Sequence, residues 1–165
     1  MNKTILDVCC GSRMFWFDKL DYRVVFCDKR NEDIVMKDSS SKTGIRNVII
    51  RPDIKSDFTA LPFKKNVFEM VVFDPPHLHR LGKSSWLAKK YGWLADNWRT
   101  VIPLGFDECM RVLKPGGTLI FKWNETEIKT KDILSLIRYN PLFGHISGRH
   151  SKTIWMSFVK KVGDV

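Results

Sequence analysis

The sequence predicts an α/β fold built on a parallel sheet, and three observations carry that prediction. Short apolar runs recur along the 165-residue chain and stop at a carboxylate: ILD at Asp7, VVFCD at Asp28 and EMVVFD at Asp74. These runs are rich in Val, Ile and Phe with little polar alternation, the composition of strands buried on both faces. Between the last of them and another apolar run, Phe106, Cys109, Met110 and Leu113 recur at helical spacing while Asp107, Glu108 and Arg111 take the other side, so an amphipathic helix separates two strands. The length suits one domain, 1–165, with a sizeable buried core.

Residues 4–9 make the first strand, with Ile5, Leu6 and Val8 as its apolar positions. Gly11 then permits a tight turn, and Ser12 is placed to cap a helix over 13–20. Residues 23–28, RVVFCD, form the second strand. Residues 31–46 are polar and contain SSSKTG, which reads as a loop or an irregular hairpin. A third strand starts at 48–50, and Leu61-Pro62-Phe63 leads into the run that ends at Asp74. Pro75 and Pro76 can neither continue a central strand nor begin a flexible loop, so they hold the Asp74 side chain and the neighbouring carbonyls in one geometry. In open α/β sheets that carboxyl edge is where ligands bind.

The stretch 78–104 is too long for a simple connection. It mixes Arg80, Lys83, Lys89, Lys90 and Arg99 with Trp86, Tyr91, Trp93 and Trp98. Cations interleaved with flat rings suit a channel for single-stranded or flipped bases; the same residues also suit a lid packed on the core or on another subunit. Beyond it, Lys114 to Gly117 turns tightly into a strand over 118–123, 133–138 is a helix candidate, and 145–160 reads as two strands joined through Gly148, Arg149 and His150. Lys122 and Asn124 fall near a strand's carboxyl end, within reach of a substrate. His145 and His150 read as structural or solvent-facing.

Composition narrows the partners. A formal charge of +10 favours a polyanion, because lysines and arginines release counterions from phosphates. Cys9, Cys10, Cys27 and Cys109 have no paired CxxC spacing and no histidine at a zinc-site interval, so they read as reduced fillers in a cytoplasmic protein, and no metal is expected. The apolar runs are too short and too interrupted by charge to span a membrane.

Taken together, ILDVCCGSRMF and EMVVFDPPHLH resemble motifs I and IV of the class I S-adenosylmethionine-dependent methyltransferases. Asp74-Pro75-Pro76-His77 is similar to the (Asp/Asn/Ser)-Pro-Pro-aromatic motif of enzymes that methylate exocyclic amino groups of bases, with histidine where those enzymes carry an aromatic ring. LKPGGTLIFKW is also a frequent feature of the family. The resemblance implies a Rossmann-like three-layer sandwich with a mostly parallel seven-stranded sheet and an antiparallel C-terminal hairpin. It implies S-adenosyl-L-methionine as cofactor, with Asp7, Cys9 and Gly11 in its loop, Asp28 on the ribose hydroxyls, and Asp57 with Phe58 at the adenine. Asp53 competes with Asp57 for that last role. Cys9 stands where the family has glycine. A dinucleotide loop would need glycines at 9, 11 and 14, and only Gly11 complies.

The activity implied is methyl transfer to a base amino group in DNA or RNA, of the adenine N6 type. Asp74, Pro75, Pro76 and His77 would do the chemistry, and Lys83, Trp86, Lys89, Lys90, Tyr91, Trp93 and Lys122 would hold the substrate. A small-molecule or protein acceptor is the alternative, as is a non-catalytic nucleic-acid-binding module. The chain opens almost directly on its first strand, so any substrate-binding domain is expected as an insertion, a tail or a separate subunit. With no recognition domain evident, the expectation is low sequence specificity, a structured RNA target, or a partner such as a recognition subunit or a second copy in a homodimer.

Overall fold

The computed structural model describes residues 3–37, 41–80, 82, 85–148 and 151–163. The strands are β1 (Ile5–Asp7), β2 (Val24–Asp28), β3 (Glu32–Lys37), β4 (Ile45–Ile50), β5 (Ile54–Lys55), β6 (Phe68–Phe73), β7 (Leu113–Asn124), β8 (Phe143–Ile146) and β9 (Thr153–Val159). The helices are α1 (Trp86–Tyr91), α2 (Trp98–Val112) and α3 (Thr130–Leu134). Seven strands form one sheet in the order β5-β2-β1-β6-β7-β9-β8. Pairing is parallel from β5 to β7 and antiparallel from β7 through β9 to β8. This is the mostly parallel sheet with a terminal hairpin that the sequence predicts.

The alternation of side chains across the sheet splits the core in two. Leu6, Val8, Val25, Cys27, Val71, Phe73, Leu119 and Phe121 are buried on one face together with Trp98, Ile102, Phe106 and Cys109 of α2. Those four α2 residues follow one helical stripe, so the apolar signal that begins the helix lies eight residues before Phe106. Gly105 allows the close approach: a Cβ there would lie 2.6 Å from the Phe58 ring and 2.8 Å from that of Phe73. On the opposite face, Val24 and Phe26 pack with Cys10 and Trp16.

Four local expectations are corrected. Residues 13–20 form turns, not a helix. Phe15 and Trp16 are drawn onto the sheet instead, Trp16 edge-on to Phe26 at 5.2 Å and Phe15 edge-on to Trp155 at 5.7 Å. The strand containing 48–50 does not join the main sheet; it pairs antiparallel with β3 in a separate hairpin, and the two-residue β5 takes the place beside β2. The helix candidate at 133–138 is shifted to Thr130–Leu134, because Glu125 accepts from the Thr130 amide at the helix start. The turn at 114–117 lies inside β7, where the pairing with β6 shifts register.

Candidate active site

Parallel pairing brings the carboxyl ends of β1, β2 and β6, and that of β7, to one edge of the sheet. A cavity of about 460 Å³ opens there, walled by Val8, Cys9, Gly11, Phe15, Asp28, Asp57, Phe58, Asp74, Pro75, Pro76, His77, Tyr91, Leu94 and Lys122 among others. Gly11 and Asp74 therefore face one hollow. A larger hollow of about 950 Å³ lies away from this edge, between Asn66, Arg111, Tyr139 and Lys160. Its carboxylates are committed to arginines, Asp107 to Arg138 at 3.2 Å and Glu108 to Arg111 at 2.6 Å.

Asp7 stands behind the wall of the first cavity. It is fully buried, and its two oxygens accept from the Cys9 amide at 3.2 Å and from Trp16 Nε1 at 2.7 Å. Burial pushes its carboxyl up to about 7, against the hydrogen bonds from Trp16 and Cys9 and helped by the negative charges of Asp74 and Asp28. The residue shapes the loop rather than facing the hollow. Gly11 turns with φ +49°, and nothing lies within 4 Å of where its Cβ would be. The glycine thus serves the left-handed turn and leaves space above it.

Asp28 lines the cavity with its carboxylate already organised. Oδ2 accepts from the Gly11 amide at 2.9 Å, and Oδ1 accepts from the Arg30 amide at 2.9 Å and from Arg30 Nε at 3.3 Å. The same guanidinium donates through Nη1 to the Lys89 carbonyl at 2.9 Å, which ties the end of β2 to α1. Asp57 also lies on the wall. Burial works against its ionisation, but the hydrogen bonds from Lys29 (2.8 Å) and from the amide and hydroxyl of Thr59 (3.0 and 2.8 Å) hold its carboxyl below the usual range. Asp53, the competing acid, is not on the wall; Lys3 and Arg13 hold it at 2.8 and 2.9 Å.

At the other end, Asp74 Oδ2 is 2.6 Å from Lys122 Nζ. Burial pushes the Asp74 carboxyl upward, and the charge and hydrogen bond of Lys122 oppose that rise without cancelling it. Pro75 is buried, and Pro76 lies so close to Gly92 (φ +84°) that a Cβ at 92 would be 2.9 Å from Pro76 Cγ. The double proline is thereby clamped between β6 and the end of α1. His77 is half-buried, its ring 6.2 Å from Tyr91 and 6.4 Å from Trp123. Burial first, and then the charge of Lys122, lowers its imidazole to about 4, so it is neutral at physiological pH.

The sequence-predicted substrate residues divide. Lys90, Tyr91, Trp93 and Lys122 line the cavity. Trp86 and Lys89 do not: the Trp86 ring faces the Arg46 guanidinium, and Lys89 contributes its backbone carbonyl to Arg30. Lys83 lies outside the described residues. The sequence reading passes over Lys29 and Arg30, although they directly follow Asp28, the position that signals them. It also misses Phe15, which leaves the expected helix to reach the cavity.

No protein-family profile matches the chain, and no curated protein sequence matches it. Solved structures share its fold. The PH0226 protein of Pyrococcus horikoshii superposes over 98% of this chain and 83% of its own, at 17% identity and a TM-score of 0.59. A S-adenosylmethionine-dependent methyltransferase of Methanosarcina mazei covers 98% and 93% at 12% identity and a TM-score of 0.58. The [4+2]-cyclase SpnF covers 98% and 76% at 12% identity and a TM-score of 0.54. The class defined is thus the Rossmann-like fold of S-adenosylmethionine-dependent methyltransferases. That fold also carries a cyclase, so the reaction must be argued from the site.

Proposed function

We propose that this chain is a S-adenosylmethionine-dependent methyltransferase acting on an exocyclic amino group of a nucleic-acid base. The observation that carries the reading is that one hollow joins Gly11, Asp28 and Asp57 at one end to Asp74, Pro75 and His77 at the other. The chemistry of the donor end fits the cofactor. Two carboxylates suit the hydroxyls of a ribose and the amino group of an adenine, and Val8, Phe58 and Leu94 offer apolar wall. Lys29 and Arg30 are engaged by Asp57 and Asp28, and Arg13 by Asp53, so these described cations beside the glycine turn are already paired and less suited to a pyrophosphate. When bound, the cofactor supplies a methyl group on a positively charged sulfur.

The chain's own residues supply orientation and charge. An aromatic amine is a poor nucleophile because its lone pair is delocalised into the ring. The Asp74 carboxylate and the Pro75 carbonyl would accept its two hydrogens and favour a nitrogen whose lone pair is available. With the cofactor held by Asp28 and Asp57, the amino nitrogen would take the methyl group as its bond to sulfur is broken, and would give up one proton. Asp74 stands where it can accept that proton before solvent does. Neutral His77, with Tyr91 beside it, would lie against the face of the base. Holding both partners in line contributes the remainder. The charge of +10 and the cavity position of Lys90 favour a phosphate-bearing acceptor over an uncharged one.

The test is incubation with labelled cofactor and mixed DNA and RNA, followed by mass spectrometry of the nucleosides. N6-methyladenine or N4-methylcytosine that disappears with Asp74→Ala is the expected result. Label found only in a small acceptor or a protein side chain would replace this reading with the other methyltransferase readings. Tight nucleic-acid binding without affinity for S-adenosylhomocysteine would mean a binding module.

A further inference from the structure

We infer that Lys122 is a positioning residue that keeps Asp74 in its charged, hydrogen-accepting form, and does not itself hold the substrate. The inference rests on the reading of Asp74 given above as the acceptor of the amino hydrogens.

Sheet register creates the pair. Phe73 on β6 lies opposite Phe121 on β7, so the next residue of each strand, Asp74 and Lys122, stand side by side on the opposite face. Their charged atoms are 2.6 Å apart, and the two side chains are 20% and 25% exposed. Lys122 is enclosed on its other sides by rings. Trp155 is its cross-strand partner on β9, with the ring centroid 5.7 Å from Nζ, and Phe15 from the loop after β1 lies at 5.6 Å. Two aromatic faces attract a cation without offering a hydrogen-bond acceptor that would compete with the carboxylate. Lys122 therefore has its charge directed at Asp74, whereas a phosphate-seeking lysine would extend into solvent.

Asp74 needs such a partner. Among the described residues near it, Asp7 on the adjoining β1 strand and Asp28 at the end of β2 are acids, the Cys9 thiol is raised by burial well above its ordinary value, and His77 on the chain that follows is neutral. Of the cations on the same cavity wall, Lys29 and Arg30 are paired with Asp57 and Asp28, and Lys90 lies against the Tyr91 ring. Burial favours the protonated carboxyl. A protonated carboxyl presents an O–H to an incoming amino group and loses acceptor capacity. Oδ2 faces Lys122, and Oδ1 receives no hydrogen bond from any described residue. The pair thus presents one oxygen anchored by the cation and one open to the substrate.

The experiment needs no substrate for its first part. Carbon-13 carboxyl NMR titration of the wild-type protein, with Asp74→Asn to identify the resonance, gives the Asp74 midpoint. Lys122→Met is expected to raise that midpoint by at least about one pH unit, and Lys122→Arg to restore most of it. Lys122→Gln substitutes for the Met variant if that one fails to fold. An unchanged midpoint in the uncharged variants overturns the inference. The second part follows methyl transfer: the acid limb of kcat moves upward with the midpoint, while KM for nucleic acid and its salt slope stay as in the wild type. A higher KM, a shallower salt slope and an unmoved acid limb would make Lys122 a phosphate contact and overturn the inference. If the midpoint moves but the wild type methylates no nucleic acid, the pairing stands and the proposed substrate falls.

Discussion

Asp7 and Asp74 begin as the same feature, a carboxylate at the end of an apolar strand, and the strands that carry them are neighbours. Both are buried enough that their carboxyls are raised. They differ in what meets the charge. Asp7 is met by two N–H groups of its own loop, from Cys9 and Trp16. Asp74 is met by a cation from the next strand, on the wall of the cavity. A carboxylate saturated by local amides organises a turn; one balanced by a distant ammonium keeps an oxygen for a ligand. Of these two acids, Asp7 is turned to its own loop and Asp74 to the cavity.

The comparison can be broken by exchanging the two losses. Asp74→Asn should lower methyl transfer by on the order of 10²–10³-fold with a thermal midpoint near that of the wild type, whereas Asp7→Asn should retain most of the rate. Equal loss in both would end the distinction. Next in size is a stability effect at Asp7. Between about pH 4 and its folded value of about 7, the folded state holds a proton that the unfolded chain has released, so stability falls as pH rises through that window. A shift of this size corresponds to roughly 4 kcal/mol. Denaturant unfolding of the wild type should show this decline and Asp7→Asn should lack it; parallel pH curves would refute the assignment.

A third variant sharpens the contrast between core and site. Gly105→Ala places a methyl against the Phe58 and Phe73 rings, and overpacking of this kind costs about 1–3 kcal/mol. The melting temperature should fall, and S-adenosylhomocysteine affinity with it, because Phe58 lines the cavity; calorimetry of both quantities checks this. The smallest effect is expected at Lys29, whose side chain is 76% exposed. Lys29→Ala should change unfolding free energy by less than about 1 kcal/mol, while leaving Asp57 freer to accept from a ligand. A large stability loss there would mean that the Lys29–Asp57 pair does more than screen an acid.

Much of this was legible in the sequence where chemistry is local. The three acid-tipped strands, two strands near the chain's end and the amphipathic helix follow from short-range periodicity, and the antiparallel pairing of those last strands from the family resemblance. So does the gathering of Gly11, Asp28 and Asp74 at one sheet edge, since parallel strands share a direction. The turns that replace the expected helix at 13–20 were not legible, because Trp16 and Phe15 pack on Phe26 and Trp155, remote in sequence. The pairing of Lys122 with Asp74 was hidden for the same reason: it depends on the β6–β7 register. That Asp57 lines the hollow and Asp53 does not was hidden too, since Asp53 is held by Lys3 and Arg13. No pattern within a few residues of 53 carries that information.

The sheet ends on β5, two residues long, at one border and on β8, four residues long, at the other. A border so brief offers another chain few open amides and carbonyls to latch onto. Growth of the sheet from molecule to molecule is thereby discouraged at both margins.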